Sequence, residues 1–137
     1  RVQEFCKRTG QYVPQTMGEI LRCIYQSLAM KYRYSTEMLE KLTGHALPVI
    51  HMIGGGIKDG LLCSMAADYC GKTVKAGPVE ATVTGNAAIQ LMSFGIFKDL
   101  NEARKVIADS FEIKTYNADT TLDLEKPYAE FLKYIGK

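Results

Sequence analysis

The stretch Val49-Ile50-His51-Met52-Ile53-Gly54-Gly55-Gly56-Ile57-Lys58-Asp59-Gly60-Leu61-Leu62 constrains the fold more than any other part of this chain. An apolar run of strand length enters three consecutive glycines and leaves them as a helix. Glycine loses more backbone freedom on folding than any other residue, so three in a row mark a sharp turn or a place where a ligand meets bare main chain. A helix that starts there offers free N–H groups and the positive end of its dipole, which suits a phosphate. The residues alone leave two readings open. One is a turn that takes a nucleotide; the other is a tight strand-to-helix turn that holds nothing.

Known phosphate motifs narrow the first reading. A P-loop needs G-x-x-x-x-G-K-[ST], with lysine on the β- and γ-phosphates and a hydroxyl on magnesium. Gly55 and Gly60 have that separation, but Leu61 and Leu62 stand where the lysine and hydroxyl belong. The dinucleotide fingerprint G-x-G-x-x-G fits Gly54 and Gly56 and fails at Asp59. Ser64 lacks the G-x-S-x-G setting of a hydrolase nucleophile. Phosphoryl transfer also needs a γ-phosphate clamp and a group that takes the acceptor's proton, and this loop has neither. It can let a nucleoside and its α-phosphate lie against the main chain.

The remaining segments read as helices around a few short strands. Val2, Phe5 and Cys6 space a first helix that Gly10 closes. Thr16 and Glu19 form a capping box for a second helix reaching about Tyr34, with Met17, Ile20, Leu21, Ile24 and Leu28 as its apolar face. Ser35 or Thr36 is expected to cap a separate short helix through Leu42, stopped at Gly44. Val49–Ile53 has too few polar positions to face water and is expected as a central strand, covered on both faces. After the glycines, Leu61, Leu62, Met65, Ala66 and Tyr69 make the buried stripe of a helix ended by Gly71. A strand at 73–76, a small-residue helix from near Glu80, a helix from Leu100 to Ser110 with Asp99 or Asn101 at its start, an edge strand at Phe111–Tyr116 and a terminal helix follow. Strand–loop–helix units indicate α/β, and two or three strands make a poor sheet, so further strands are expected upstream.

With 137 residues, 47% of them apolar, the chain can bury one core. Its net charge of +2 is too small to imply nucleic acid or an anionic membrane as partner. Lys31-Tyr32-Arg33-Tyr34 interleaves basic and aromatic residues as single-strand binders do, but dipole complementation at a helix end accounts for it more simply. No run approaches the ~20 apolar residues of a membrane span. Cys6, Cys23, Cys63 and Cys70 have no metal-ligand spacing and read as reduced, buried thiols of a cytoplasmic protein. No metal site is expected from His45 and His51. The chain begins at Arg1 without a visible secretory signal, and a fragment of a longer protein is expected.

Taken together, Val49 to Gly56, Ala66-Ala67-Asp68, Gly71-Lys72-Thr73-Val74 and Ala76 to Ala87 resemble the C-terminal domain of the FGGY carbohydrate kinases, in the sugar-kinase/actin-like ATPase superfamily. Pro14 to Ile20 and Ser27 to Arg33 look like the text of the rhamnulokinase subgroup. The resemblance runs from about Val2 to Tyr116. It implies an α/β fold: a partial actin-like ATPase (ribonuclease H-like) domain, helix-rich with a few short strands. Residues 1–137 would be part of the C-terminal nucleotide-binding domain.

It further implies a two-domain enzyme with ATP and magnesium in the cleft, transferring the γ-phosphate to a ketose hydroxyl. L-rhamnulose, giving L-rhamnulose 1-phosphate, is the expected sugar; L-fuculose or another sugar, or a non-catalytic nucleotide-binding module, is the alternative. By the family pattern Gly54, Gly55 and Gly56 pass beside adenine, ribose and α-phosphate, and Asp59 stands where Asn helps hold the nucleotide. Asp keeps the acceptors, loses the amide donors and adds charge near phosphate. Ile57 also replaces a small polar residue. Glu80-Ala81-Thr82 and Gly85-Asn86 are expected to support the loop by packing and capping. The catalytic aspartate, sugar pocket and β/γ-phosphate loops lie upstream in the family, so no catalytic residue is expected in this chain. Neither Asp68 nor Asp109 matches the catalytic motif.

Overall fold

The computed structural model describes residues 1–136. Its elements run α1 (Val2–Arg8), α2 (Met17–Thr43), β1 (Val49–Met52), a 3-10 turn (Gly55–Lys58), α3 (Gly60–Cys70), β2 (Thr73–Ala76), α4 (Ala81–Ser93), α5 (Leu100–Ser110), β3 (Lys114–Tyr116) and α6 (Glu125–Tyr134). β1 and β2 are parallel, with Val49 opposite Thr73 and Met52 opposite Ala76. Parallel neighbours need a crossover, which the 3-10 turn and α3 supply. β3 joins the other side of β2 antiparallel, pairing Tyr116 with Val74.

Small residues make the core possible. Cys63, Ala66, Ala67, Val74, Ala76 and Ile57 form one buried cluster, with Tyr32, Ile50, Met52, Val79 and Tyr116 packed against it. Ala66, Ala67 and Cys63 give α3 a face without bulk, so it lies close on the strands and on α2. Gly71 ends α3 at φ 61°, with the N–H groups of Gly71 and Lys72 returning to the carbonyls of Asp68 and Ala67 at 3.2 Å each. That left-handed stop turns the chain directly into β2.

Several sequence expectations change. The second and third helices are one, from Met17 to Thr43. The Thr36 hydroxyl does not cap a new helix; it bonds back to the Tyr32 carbonyl at 2.9 Å, one turn earlier. Arg33 and Glu37 pair at 2.8 Å across the same turn and carry the helix through. The Lys31–Tyr34 cluster is therefore mid-helix, and the dipole explanation for it fails. Arg33 instead reaches Glu125 at 2.8 Å and covers the Tyr128 ring at 4.0 Å, while the Tyr128 hydroxyl donates to Glu37 at 2.7 Å. This network fastens α6 to α2.

The apolar stripe of α2 does not face the core. Met17 is 71% exposed, and Leu21, Ile24 and Leu28 also lie on the surface. The inner face carries the buried Ala29 and Thr36, and Tyr32 on the same side. A long helix can present two such faces, and the narrow one, centred on Ala29, is the one that fits α3. In α3 itself Leu61 points out at 59% exposure, and Cys63 and Ala67 take the interior instead.

Among the described residues β1 pairs on one side alone, in the sheet order β1-β2-β3, and its two faces are not both covered as expected. Ile50 and Met52 pack on the core while His51, on the opposite face, is exposed. β2 holds the centre because among the described residues it alone pairs on both sides. The capping box of Thr16 and Glu19, the Asp99 cap of α5 and the edge position of β3 stand as expected. All four cysteines are free, and burial pushes the Cys70 thiol up to about 11. No described helix is long and apolar enough to cross a membrane.

Replacing Ala29 by Leu is expected to destabilise the fold by about 1–3 kcal/mol, the usual cost of overpacking a closed interface. Leu28→Ala, on the outer face, is expected to leave the melting temperature of this chain nearly unchanged. Thermal denaturation of the two variants checks both.

Candidate functional site

Two loops leave the carboxyl ends of the parallel strands on the same edge of the sheet. One is the glycine turn after β1 and the other is Gly77-Pro78 after β2. The Gly77 N–H donates to the Met52 carbonyl at 3.0 Å and ties the second loop to the end of β1. Ligands of open α/β sheets sit beyond such strand ends.

The three glycines are not equivalent. Gly54 has φ 83° and ψ −168°, a conformation that only glycine adopts without strain. Gly55 and Gly56 lie in the 3-10 turn with ordinary backbone angles, and a Cβ built on either would meet nothing within 4 Å. Folding therefore accounts for Gly54 and leaves Gly55 and Gly56 unaccounted for. Both expose bare main chain at the surface. Gly60 differs again: a Cβ there would stand 3.3 Å from the Tyr116 hydroxyl, so β3 presses on the start of α3.

Asp59 joins the turn to the helix. Its N–H closes the 3-10 turn on the Gly56 carbonyl at 3.2 Å, and its Oδ1 caps α3 by accepting from the Leu62 N–H at 3.1 Å. Its Oδ2 accepts from the hydroxyl of Tyr25 on α2. The Tyr25 hydrogen bond, then the Leu62 N–H, hold the Asp59 carboxyl below the usual carboxylate range. The same hydrogen bond raises the Tyr25 phenol, because losing its proton would set two anions together. Tyr25 carried no signal in the sequence. It lies 34 residues from its partner, and neither residue's local pattern announces the contact.

Beside Asp59 an open cavity of about 730 Å³ runs between α2 and α3, lined among others by Arg22, Tyr25, Leu61 and Met65. Among the described residues no hydrogen bond joins α4 to the glycine turn, so the expected support by capping is not seen. Glu80 stands at the N-cap without a side-chain cap bond, and Asn86 is exposed. Thr84 instead returns its hydroxyl to the carbonyls of Glu80 and Ala81 at 3.2 and 3.1 Å. Asp68 lies on α3, where it accepts from the Asp119 N–H at 2.9 Å. Neither Asp68 nor Asp109 on α5 is brought to the glycine turn by these contacts.

Residues 3–94 match the FGGY family of carbohydrate kinases, C-terminal domain. The chain belongs to this family. It is 42% identical to the rhamnulokinase of Bacillus subtilis (strain 168) over 115 residues, covering 84% of this chain and 24% of that protein. It is 39% identical to the rhamnulokinase of Bacteroides thetaiotaomicron over 130 residues, covering 95% of this chain and 27% of that protein. The chain thus spans about a quarter of the length of these FGGY relatives. The crystal structure of xylulose kinase from Rhodospirillum rubrum superposes with a TM-score of 0.64 at 18% identity, over 93% of this chain and 25% of that one. That likeness gives the fold, the actin-like ATPase fold of the FGGY kinases, here as a helix-rich piece with a three-stranded sheet.

Because the folded pKa of Asp59 is depressed, its contribution to stability is complete above the unfolded value near 4 and is lost as pH falls through the folded value. Asp59→Asn is therefore expected to lose less melting temperature than wild type between pH 5 and pH 2. Melting curves across that range read the difference directly.

Proposed function

We propose that the protein carrying this chain is an ATP-dependent ketose kinase, and that the glycine turn receives the adenosine part of ATP. One observation carries the reading: Gly55 and Gly56 present side-chain-free backbone where the fold itself has room for a Cβ. A ligand lying flush on the main chain supplies the missing reason. Gly54 shapes the entry to the turn, and Asp59 fixes the turn to α3. The N-terminal N–H groups of α3 and the loop at Gly77 border the same edge.

L-rhamnulose is the proposed acceptor and L-rhamnulose 1-phosphate the product, on the strength of the rhamnulokinase relatives. Residues 1–137 are then part of the C-terminal nucleotide-binding domain. The upstream catalytic domain of the same polypeptide supplies the general base, the sugar pocket and the clamp on the β- and γ-phosphates. It would also supply the strand that pairs with the open side of β1. Magnesium enters with the phosphates, where it neutralises charge that develops during transfer. The residues of this chain orient the nucleoside and shield it; they move no proton. Nucleic acid and membrane have no place in this reading, since Arg33 is committed to Glu37, Glu125 and Tyr128. A cytoplasmic enzyme with reduced thiols is the matching location.

In the full-length protein, Gly55→Val is expected to weaken ATP binding at least tenfold, about 1.4 kcal/mol, and to leave sugar binding unchanged. Equilibrium binding of both ligands checks this, and unchanged ATP affinity would remove the adenosine role. Assay against a panel of ketoses is expected to favour L-rhamnulose over L-fuculose. Residues 1–137 alone are expected to phosphorylate neither sugar.

A further inference from the structure

We propose that Tyr25 is a positioning residue for the glycine turn, acting through the Asp59 carboxylate. The inference rests on the nucleotide-binding reading given above and assigns a residue 29 positions upstream of the first glycine to that site.

Asp59 is the pivot of the turn. It ends the 3-10 segment through its N–H, opens α3 through Oδ1, and its carbonyl accepts from the Cys63 N–H at 3.2 Å. The angle between the exposed main chain of Gly55 and Gly56 and the first N–H groups of α3 is set at this one residue. A ligand that spans both surfaces needs that angle held before it arrives, since ordering it on binding costs affinity. Local bonds alone do not hold it, because three preceding glycines leave the backbone free to swing.

Tyr25 supplies the missing restraint from outside the loop. Its hydroxyl donates to Oδ2, the carboxylate oxygen that the α3 cap does not use. Tyr25 stands one turn before the buried Ala29 and two before Tyr32, on the face of α2 that packs toward α3. Its ring is fixed by a 27-residue helix rather than by a loop. On the far side the Tyr116 hydroxyl lies against Gly60, so the pivot is braced from α2 and from β3. Both oxygens of Asp59 already accept a hydrogen bond within the protein, and those two bonds fix the orientation of the turn.

The test uses the full-length protein and four forms: wild type, Tyr25→Phe, Asp59→Ser and the double variant. Tyr25→Phe keeps the ring and removes only the hydroxyl. It is expected to weaken ATP binding about tenfold, the factor that about 1.4 kcal/mol represents, and to raise the KM for ATP while the KM for the sugar stays put. The double variant is expected to bind ATP no more weakly than the worse single variant, because two residues acting in series are not additive. Wild-type affinity in Tyr25→Phe, losses that multiply in the double variant, or equal rises in both KM values would each overturn the proposal. Should Tyr25→Phe not fold, Asp59→Ser carries the same comparison: its hydroxyl keeps a cap acceptor for α3 and removes the oxygen that Tyr25 holds, and an unaltered KM for ATP would overturn the role of the clasp. A wild-type protein that binds no ATP would instead overturn the nucleotide reading itself.

Discussion

The structure depends on how closely α3 can approach the rest of the chain. Ala66, Ala67 and Cys63 on one side and Ala29 on the other remove the bulk that would keep helix, helix and sheet apart. A closely packed interior tolerates neither voids nor an added methylene cheaply, so this geometry is shared by everything that rests on it. The parallel pairing of β1 and β2 follows, because α3 is the crossover between them. The glycine turn rests on it as well, since it carries the chain from β1 directly into a helix held that close. Even the clasp between Tyr25 and Asp59 needs it: a phenol on α2 reaches the start of α3 only when the two helices touch.

Local chemistry was the legible part of the sequence. Thr16 with Glu19, Asp99 before α5, and Gly44 and Gly71 after their helices each satisfy backbone groups within a few residues, and each does in the structure what its pattern implies. The strand–glycine–helix passage belongs here too, as does the family, whose motifs are strung along one continuous stretch. What failed was any inference that needed to know what lies opposite. Thr36 looks like a cap until its hydroxyl finds the Tyr32 carbonyl one turn back. Val49 to Met52 look covered on both faces by composition, yet His51 is exposed, because what covers a strand's faces is not named by its own residues.

The candidate site divides along the same line. Gly54, Gly55, Gly56 and Asp59 stand in one run and could be read together. The distinction among the glycines could not, because it rests on dihedral angles and on the room around an absent Cβ. Tyr25 was invisible for a simpler reason. It sits among Leu21, Ile24 and Leu28, whose periodicity draws attention to the outer face of α2, while its own work is done on the inner one.

α4 and α5 pack chiefly against each other and bury a single alanine apiece, Ala88 and Ala103. The core, by contrast, gathers α2, α3 and the sheet. Stability in such a molecule comes in two tiers, and the thinly packed tier opens first. Amide hydrogens of α4 and α5 will exchange through an opening that leaves those of α3 and β2 protected. The boundary between the tiers falls at the Gly77 loop, whose N–H at Gly77 is held by the carbonyl of Met52 at the end of β1. The candidate site thus belongs to the slow tier, and the chain just beyond the Gly77 loop belongs to the fast one.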